Sequence, residues 1–89
     1  MIEQQTTIQN KLGMHARAAS KFVGVAQRFS ADITVTNGDQ TANGKSIMSM
    51  MILQASKGTV INVRADGEDE TLALEQIIAL ITNLFDEAE

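Results

Sequence analysis

Three segments of the sequence alternate apolar and polar residues, which predicts strands with one buried and one solvent-facing side. They cover residues 2–8, 32–36 and 61–65. A sheet of such strands buries its apolar face under helices and leaves its other face in contact with water. Every helix of the chain is therefore expected on the same side of the sheet.

Apolar residues recur at helical spacing in three further segments. The first helix is predicted over about 16–28, on a stripe formed by Ala19, Phe22, Val23 and Ala26. A short apolar helix follows Ser46, which is a favourable N-cap residue. Acidic residues 68–70 open a C-terminal helix, where they suit the positive end of the helix dipole. The apolar stripe of this last helix comprises Leu74, Ile77, Ile78, Ile81 and Phe85.

Turn residues separate these segments. Asn37-Gly38 favours a type I′ hairpin leading to a weak strand at about 40–43, and Lys57-Gly58 leads into the last strand. The resulting order is β-α-β-β-α-β-α. The sequence thus predicts an α+β fold in one domain, residues 1–89. We expect a two-layer open-faced β-sandwich, with a four-stranded antiparallel sheet and three helices on one face.

The composition excludes several classes of function. The chain has no cysteine and one histidine, so neither a thiolate nor an ordinary imidazole metal site is predicted, and no cofactor is expected. Three phenylalanines are the only aromatic residues and the net charge is −4, which argues against nucleic-acid binding. No segment has transmembrane length or resembles a signal peptide. We expect a soluble, monomeric, cytoplasmic protein without membrane insertion.

Charge is unevenly distributed along the chain. All seven Lys and Arg residues lie at or before Arg64, whereas eight of the eleven acidic residues follow it. The mildly basic first part suits contact with an anionic substrate or partner. The acidic tail is equally typical of a solvated helix without a further task.

His15 is the first candidate for chemistry. It ends a glycine-containing loop where the first helix begins, beside the free backbone N–H groups of Ala16, Arg17 and Ala18. The positive end of the helix opposes a charge on the ring, so one ring nitrogen is expected to be a nucleophile near neutral pH. The same field would stabilise a phosphoryl group on that nitrogen, with Arg17 binding its oxygens. A lone histidine is more often an ordinary loop residue, and the spacing alone leaves that alternative open.

Ser46 and the methionines that follow it form a second candidate. Serine before an apolar helical run is normally only an N-cap, but a phosphate there would suit the helix N-terminus and act as an electrostatic switch. Core packing accounts most simply for Met50 and Leu53. An exposed patch of Ile47, Met48 and Met51 would suit a transient protein contact.

Two segments together resemble the signatures of one family. Residues 10–19, Asn-Lys-Leu-Gly-Met-His-Ala-Arg-Ala-Ala, resemble the active-site signature of HPr, the histidine-containing phosphocarrier of bacterial phosphotransferase systems. Residues 43–48, Asn-Gly-Lys-Ser-Ile-Met, resemble its regulatory-serine signature. The resemblance extends over the whole chain in length, element order and the turn at residues 57–58. Both motifs at their family spacing make it specific.

The resemblance implies a phosphoryl relay rather than an independent small-molecule enzyme. Enzyme I, charged by phosphoenolpyruvate, would phosphorylate Nδ1 of His15, and the chain would pass the group to a IIA-type acceptor, as in sugar transport. Arg17 would steer the phosphate. In many relatives a dedicated HPr kinase/phosphorylase modifies the serine that matches Ser46 and so lowers transfer. Partner contacts are expected from Lys21, Lys45, Ile47, Met48 and Met51.

The sequence also departs from the family pattern. Most relatives have proline where this chain has Ala18, and residues 11–14 are closer to nitrogen-branch carriers. Lysines that face enzyme I in many members are replaced here by Gly24, Gln27 and Ser49. The alternative to a sugar-branch carrier is therefore a nitrogen-branch or purely regulatory paralogue, which would act by protein–protein contact through the helix that begins after Ser46.

Overall fold

The structure is a computed structural model and describes residues 1–88. Four strands and three helices follow one another in the predicted order. They are β1 (Ile2–Thr7), α1 (Ala16–Ala26), β2 (Asp32–Asn37), β3 (Gln40–Asn43), α2 (Ile47–Ile52), β4 (Val60–Asp66) and α3 (Glu70–Thr82). A single 3₁₀ turn, Leu84–Asp86, follows α3 and is called the C-terminal turn below.

The strands form one antiparallel sheet in the order β1-β4-β2-β3. Because β4 lies between β1 and β2, Ala65 pairs with Ile2 on one side and with Ile33 on the other. On the opposite face Arg64 pairs with Glu3, and its Nε donates to a Glu3 carboxylate oxygen at 3.1 Å. The alternation along β2 and β4 thus places Ile33, Val35, Ile61, Val63 and Ala65 on the buried face.

The helices cover the apolar face of the sheet. α3 contacts β1 and β4, and α1 contacts both α2 and α3. The largest fully buried side chains of the resulting core include Phe22, Phe85, Ile8, Met50, Leu53, Ile61, Ile77 and Ile81. The predicted open-faced α+β sandwich is therefore confirmed. No helix within residues 1–88 is long and apolar enough to cross a membrane.

The hairpin between β2 and β3 differs from the prediction in its turn. Asn37 is the last residue of β2 and pairs with Gln40, so the loop consists of Gly38 and Asp39. Gly38 has a φ of +61°, whereas Asn37 and Asp39 have no positive φ. Such a turn is of the II′ class, and the predicted type I′ turn is wrong. Asn37 pairs with Gln40 at the end of β2, and its Nδ2 donates to the carbonyl of Leu53 at 3.0 Å.

Two helices end earlier than predicted. α1 ends at Ala26, which differs from the predicted end by less than one turn. α3 ends at Thr82, although the apolar stripe continues to Phe85. Leu84, Phe85 and Asp86 have φ values of +58°, +53° and +62°. The chain therefore makes a left-handed turn after α3, and Phe85 enters the core from this turn rather than from a helix.

Candidate functional site

His15 lies at the N-terminus of α1. It is the N-cap residue, with φ −78° and ψ 177°, and its carbonyl accepts a hydrogen bond from Ala19 N at 2.8 Å. Its side chain forms no capping bond and is 25 % exposed. The imidazole is therefore available for contacts beyond its own helix.

The loop before His15 is held against the segment that follows α2. Met14 N donates to the carbonyl of Ala55 at 2.8 Å, and the Met14 side chain is buried. Gly13 has a φ of +66°, and a Cβ at this position would lie 2.5 Å from the Ala55 carbonyl oxygen. Only glycine combines this backbone conformation with so close an approach. The packing of the loop on Ala55 thus determines where α1 begins and where His15 lies.

Three backbone N–H groups at the start of α1 have no carbonyl partner within the helix. They belong to Ala16, Arg17 and Ala18, the first three helical residues. Ala16 and Arg17 are exposed, whereas the Ala18 side chain is fully buried. No acidic residue lies in this first turn. The end of the helix is therefore able to bind an anion beside His15.

The carboxylate of Glu87 contacts His15 from the end of the chain. Glu87 Oε2 hydrogen-bonds to Nε2 of the imidazole, and Oε1 accepts from Asn10 Nδ2 at 2.8 Å. Asn10 is fully buried, and its Nδ2 also donates to the Gly13 carbonyl at 2.8 Å. The contact occupies Nε2, so Nδ1 is the ring nitrogen without a partner among residues 1–88.

Glu87 is ionised in this arrangement. Partial burial opposes ionisation, but the hydrogen bonds from Asn10 and His15 and the charge interactions with His15 and Lys21 outweigh it and lower the pKa of the Glu87 carboxyl. The Glu87 side chain is 12 % exposed. A negative charge is therefore held on the Nε2 side of the imidazole.

A shallow groove runs beside this carboxylate. It is lined by Lys11, Leu12, Arg17, Lys21, Asp86, Glu87 and Ala88. Arg17 forms no hydrogen bond or ion pair with any described residue, so its guanidinium is available to a ligand. Lys21 is engaged, because its Nζ donates to the Phe85 carbonyl at 2.7 Å. Arg17 thus shares a groove with Glu87, the partner of His15.

Ser46 caps α2, as its position in the sequence predicts. Its Oγ accepts a hydrogen bond from Ser49 N at 3.2 Å. The neighbouring Lys45 donates from Nζ to the carbonyl of Phe29 at 2.7 Å, which ties the start of α2 to the segment after α1. Lys45, like Lys21, therefore uses part of its hydrogen-bonding capacity within the protein.

An apolar patch lies on α2. Met50 is fully buried, whereas Ile47, Met48 and Met51 are 40 %, 76 % and 42 % exposed, which confirms the predicted division of this helix. Ile52, which has no place in the predicted patch, is 65 % exposed. The four exposed side chains are called the α2 patch below. Their exposure makes the patch available to another protein.

Two residues of the site, Asn10 and Glu87, have no role in the sequence-based prediction. Asn10 is the first residue of the motif at residues 10–19. Its position in that motif is the sequence signal that could have identified it as a site residue. Glu87 carries no such signal, because it belongs to an acidic tail that is equally typical of a solvated helix. Glu87 follows the C-terminal turn directly, and alternation and helical spacing do not reveal this turn.

Comparison with known proteins relates this arrangement to one family. Residues 2–83 match the family PTS-HPr, described as the PTS HPr component phosphorylation site. Phosphocarrier protein HPr of Neisseria meningitidis serogroup A is 47 % identical over 89 residues, which is 100 % of both chains. Phosphocarrier protein NPr of Shewanella violacea is 41 % identical over 87 residues, which is 98 % of this chain and 96 % of that protein.

Solved structures share the fold. The crystal structure of HPr-C-His from Thermoanaerobacter tengcongensis has a TM-score of 0.96 and 40 % identity, and the match covers 100 % of both chains. The HPr dimer from the same organism has a TM-score of 0.79 and 41 % identity, covering 98 % of this chain and 100 % of that chain. With a family match over most of its length and full-length relatives, the chain belongs to the HPr family of phosphotransferase-system phosphocarriers.

Proposed function

We propose that His15 carries the phosphoryl group of this phosphocarrier, bound through Nδ1. The observation that carries the proposal is the position of the ring at the N-terminus of α1, with Nε2 bonded to Glu87 and Nδ1 without a partner among the described residues. An imidazole nitrogen with a free lone pair is a suitable nucleophile for phosphoryl transfer.

We propose that the start of α1 binds the phosphoryl oxygens once the group is on His15. The backbone N–H groups of Ala16, Arg17 and Ala18 are not used by the helix and point toward its N-terminal end. The Arg17 guanidinium has no competing partner in residues 1–88 and is able to donate two parallel hydrogen bonds to the same oxygens. Both contributions act on the negative charge that the phosphoryl oxygens carry during the transfer.

We propose phospho-enzyme I as the donor and IIA-type domains as the acceptors. The α2 patch offers exposed apolar side chains, and exposed patches of this kind are typical of protein contact sites. All basic residues of the chain precede residue 65, which favours partners with acidic surfaces. Lys21 and Lys45 contribute to this field, and each retains N–H groups beyond the one that binds a carbonyl.

We also propose that Ser46 is a regulatory phosphorylation site and that an HPr kinase/phosphorylase acts on it. Ser46 is half-buried at the start of α2, directly before Ile47 of the α2 patch. A phosphate there would add about −1.5 to −2 charges next to the apolar surface that partners would contact.

The alternative is a nitrogen-branch or purely regulatory paralogue. The relative named NPr, at 41 % identity over nearly the whole chain, supports this alternative function. In that case the α2 patch and Ser46 would mediate the function by protein contact. Acceptance of phosphate by His15 from a sugar-branch or a nitrogen-branch enzyme I, compared under the same conditions, distinguishes the branches.

We expect the protein to act as a monomer in the cytoplasm. The HPr dimer from Thermoanaerobacter tengcongensis makes a dimer the specific alternative. Light scattering after size-exclusion chromatography measures the mass directly. A mass twice that of the 9.6 kDa chain would contradict the monomer.

The test of the function is a transfer assay with enzyme I and phosphoenolpyruvate. We expect wild-type protein to gain one acid-labile, base-stable phosphate and His15→Ala to gain none. His15 forms no capping bond and is partly exposed, so the variant should keep its circular dichroism spectrum and cooperative melting. Unlabelled wild type, or a labelled His15→Ala variant, would refute the assignment.

A further inference from the structure

The contact between Glu87 and His15 is part of a short chain of hydrogen bonds. One carboxylate oxygen of Glu87 bonds to Nε2 of His15, and the other accepts from the buried amide of Asn10 at 2.8 Å. Asn10 is in turn bonded to the Gly13 carbonyl, two residues before His15. Both oxygens of the carboxylate are therefore fixed in direction relative to the imidazole.

The backbone before Glu87 is held in an unusual conformation. Leu84, Phe85 and Asp86 all have φ between +53° and +62°, which L-residues other than glycine rarely adopt. The turn is held by the fully buried Phe85 side chain and by the bond from Lys21 Nζ to the Phe85 carbonyl. Conformations of this kind persist where the surroundings determine them, and they cluster at functional sites.

We infer that Glu87 is a positioning residue for phosphoryl transfer, which holds the proton of the His15 ring on Nε2 and leaves the lone pair on Nδ1. A carboxylate accepts a hydrogen bond from a ring N–H and thereby selects the tautomer and the orientation of the ring. In hydrolases a buried carboxylate orients a histidine base in the same way, although there it binds Nδ1–H and leaves Nε2 as the reactive nitrogen. The inference rests on the proposed function, because it assigns a role within the transfer to His15.

In this arrangement the phosphoryl group moves from one imidazole nitrogen to another without a proton transfer. The lone pair of Nδ1 forms the new P–N bond, while the P–N bond of the donor phosphohistidine breaks and its electron pair stays on the donor imidazole. No proton leaves His15, because the single ring proton is already on Nε2. The phosphorylated ring is then protonated on Nε2 and carries a positive charge, which the Glu87 carboxylate stabilises across the existing hydrogen bond. The reverse transfer to an acceptor uses the same contacts.

Two variants separate the hydrogen bond from the charge. Glu87→Gln keeps an oxygen that accepts from Nε2–H but loses the negative charge, whereas Glu87→Ala loses both. Glu75→Gln is the matched control, because Glu75 is exposed on α3 and has no bond to any described residue. Initial rates of His15 phosphorylation are measured with enzyme I and phosphoenolpyruvate on folded protein of equal concentration.

We expect Glu87→Ala to accept phosphate about tenfold more slowly, a modest effect for an orienting carboxylate because the site is partly open to solvent. Glu87→Gln should lie between Glu87→Ala and wild type, and Glu75→Gln should equal wild type. Nitrogen-15 NMR of the imidazole measures which ring nitrogen carries the proton. A residue with a merely structural role would not change this result. Wild type and Glu87→Gln should show the proton on Nε2, and Glu87→Ala should show a mixture of tautomers.

Two results would overturn the inference. Equal rates and unchanged ring-nitrogen shifts in Glu87→Ala would show that the carboxylate does not position the ring. Faster phosphorylation of Glu87→Ala would show that Glu87 obstructs the site instead. Failure of the proposed function looks different, since wild-type protein and the Glu75→Gln control would then also remain unlabelled.

Discussion

The ammonium group of Lys21 donates to the backbone carbonyl of Phe85 at 2.7 Å, and this bond joins α1 to the C-terminal turn. Phe85 has φ 53° and ψ 35°, and its side chain is fully buried. A left-handed backbone conformation costs a residue other than glycine about 1–2 kcal/mol, so three such residues in succession require compensating contacts. The Lys21 bond is one of these contacts, and it lies two residues before the Glu87 carboxylate.

Lys21→Met should loosen this turn. Methionine keeps an apolar stem but loses the donor, so we expect the free energy of unfolding in urea to fall by about 1–2 kcal/mol. Hydrogen exchange of the amides of residues 84–88 should accelerate more than that of α1, because local opening becomes easier. Lys57→Met is the control, since Lys57 is exposed and has no partner in the described chain. Equal stability of the two variants would show that the Lys21 bond does not hold the turn.

Asp69 should make the stability depend on pH. Hydrogen bonds from Ser30 N and Ala31 N, both at 2.9 Å, lower the pKa of the Asp69 carboxyl in the folded state despite some desolvation. A lowered folded-state pKa contributes stability above the unfolded pKa, near 3.9, and this contribution is lost as the pH falls through the folded-state value. Asp69→Asn should therefore melt at a lower temperature than wild type at pH 7.

The difference between Asp69→Asn and wild type should shrink as the pH falls below about 4, because the unfolded wild-type chain then binds a proton at Asp69, and it should vanish once the pH is also below the lowered folded-state pKa. Glu68→Gln is the matched control: Glu68 precedes Asp69, is exposed and has no bond to any described residue. A melting difference for Asp69→Asn that is the same at pH 7 and pH 2.5 would show that the charge on Asp69 does not contribute.

The fold follows from local patterns, whereas half of the site does not. Alternation in the strands fixes which face is buried, and Arg64 and Ala65 lie on the faces that it predicts. His15 is found at the start of α1 because the loop signal and the helical stripe meet there. Both patterns are local in the sequence, so they can be recognised without knowledge of tertiary contacts.

The Glu87 contacts depend on tertiary structure. The hydrogen bond between Asn10 and Glu87 joins residues 77 positions apart in the chain. It requires a left-handed turn in Leu84–Asp86, and no glycine or asparagine in that segment indicates one. An apolar stripe that continues to Phe85 instead favours a longer helix. The buried side chain is therefore predicted correctly while the backbone that carries it is not.

Arg17→Ala should slow phosphorylation of His15 without changing stability. The guanidinium is exposed and has no partner in residues 1–88, so its removal leaves no unpaired group in the protein. Loss of charge-assisted hydrogen bonds to the phosphoryl oxygens, about 1.5–3 kcal/mol, corresponds to roughly tenfold to a hundredfold in rate. Arg28→Ala, which removes another exposed and unpartnered arginine, should transfer at the wild-type rate. Equal rates for the two variants would contradict phosphate binding by Arg17.

Ser46 is tested by a pair of variants that separate its capping bond from its charge state. Ser46→Ala loses the bond from Ser49 N and should reduce the free energy of unfolding by about 1 kcal/mol, with phosphorylation of His15 nearly unchanged. Ser46→Asp keeps a capping oxygen and should melt near wild type. Its added charge should slow phosphorylation by enzyme I, and the deficit should shrink as salt rises. Wild-type rates for Ser46→Asp at low salt would show that Ser46 is a helix cap only.

Ala18→Pro tests whether the third backbone N–H of α1 takes part in the site. The helix does not use this N–H, and proline is tolerated in a first helical turn, so the substitution should stabilise the protein by about 0.5–1 kcal/mol by restricting the unfolded chain. Phosphorylation of His15 should stay near the wild-type rate, because Ala16 and Arg17 still donate.

The same substitution at the other end of α1 is the control for Ala18→Pro. Ala26 is also fully buried but is the last residue of the helix, where its N–H is within the hydrogen-bonded part. Ala26→Pro should therefore lower the free energy of unfolding by about 3 kcal/mol or more. If Ala18→Pro is stable yet accepts phosphate much more slowly than wild type, the Ala18 N–H binds the phosphoryl group directly. Disruption of the helix would then be excluded as the cause, because a disrupted helix lowers the stability, as in Ala26→Pro.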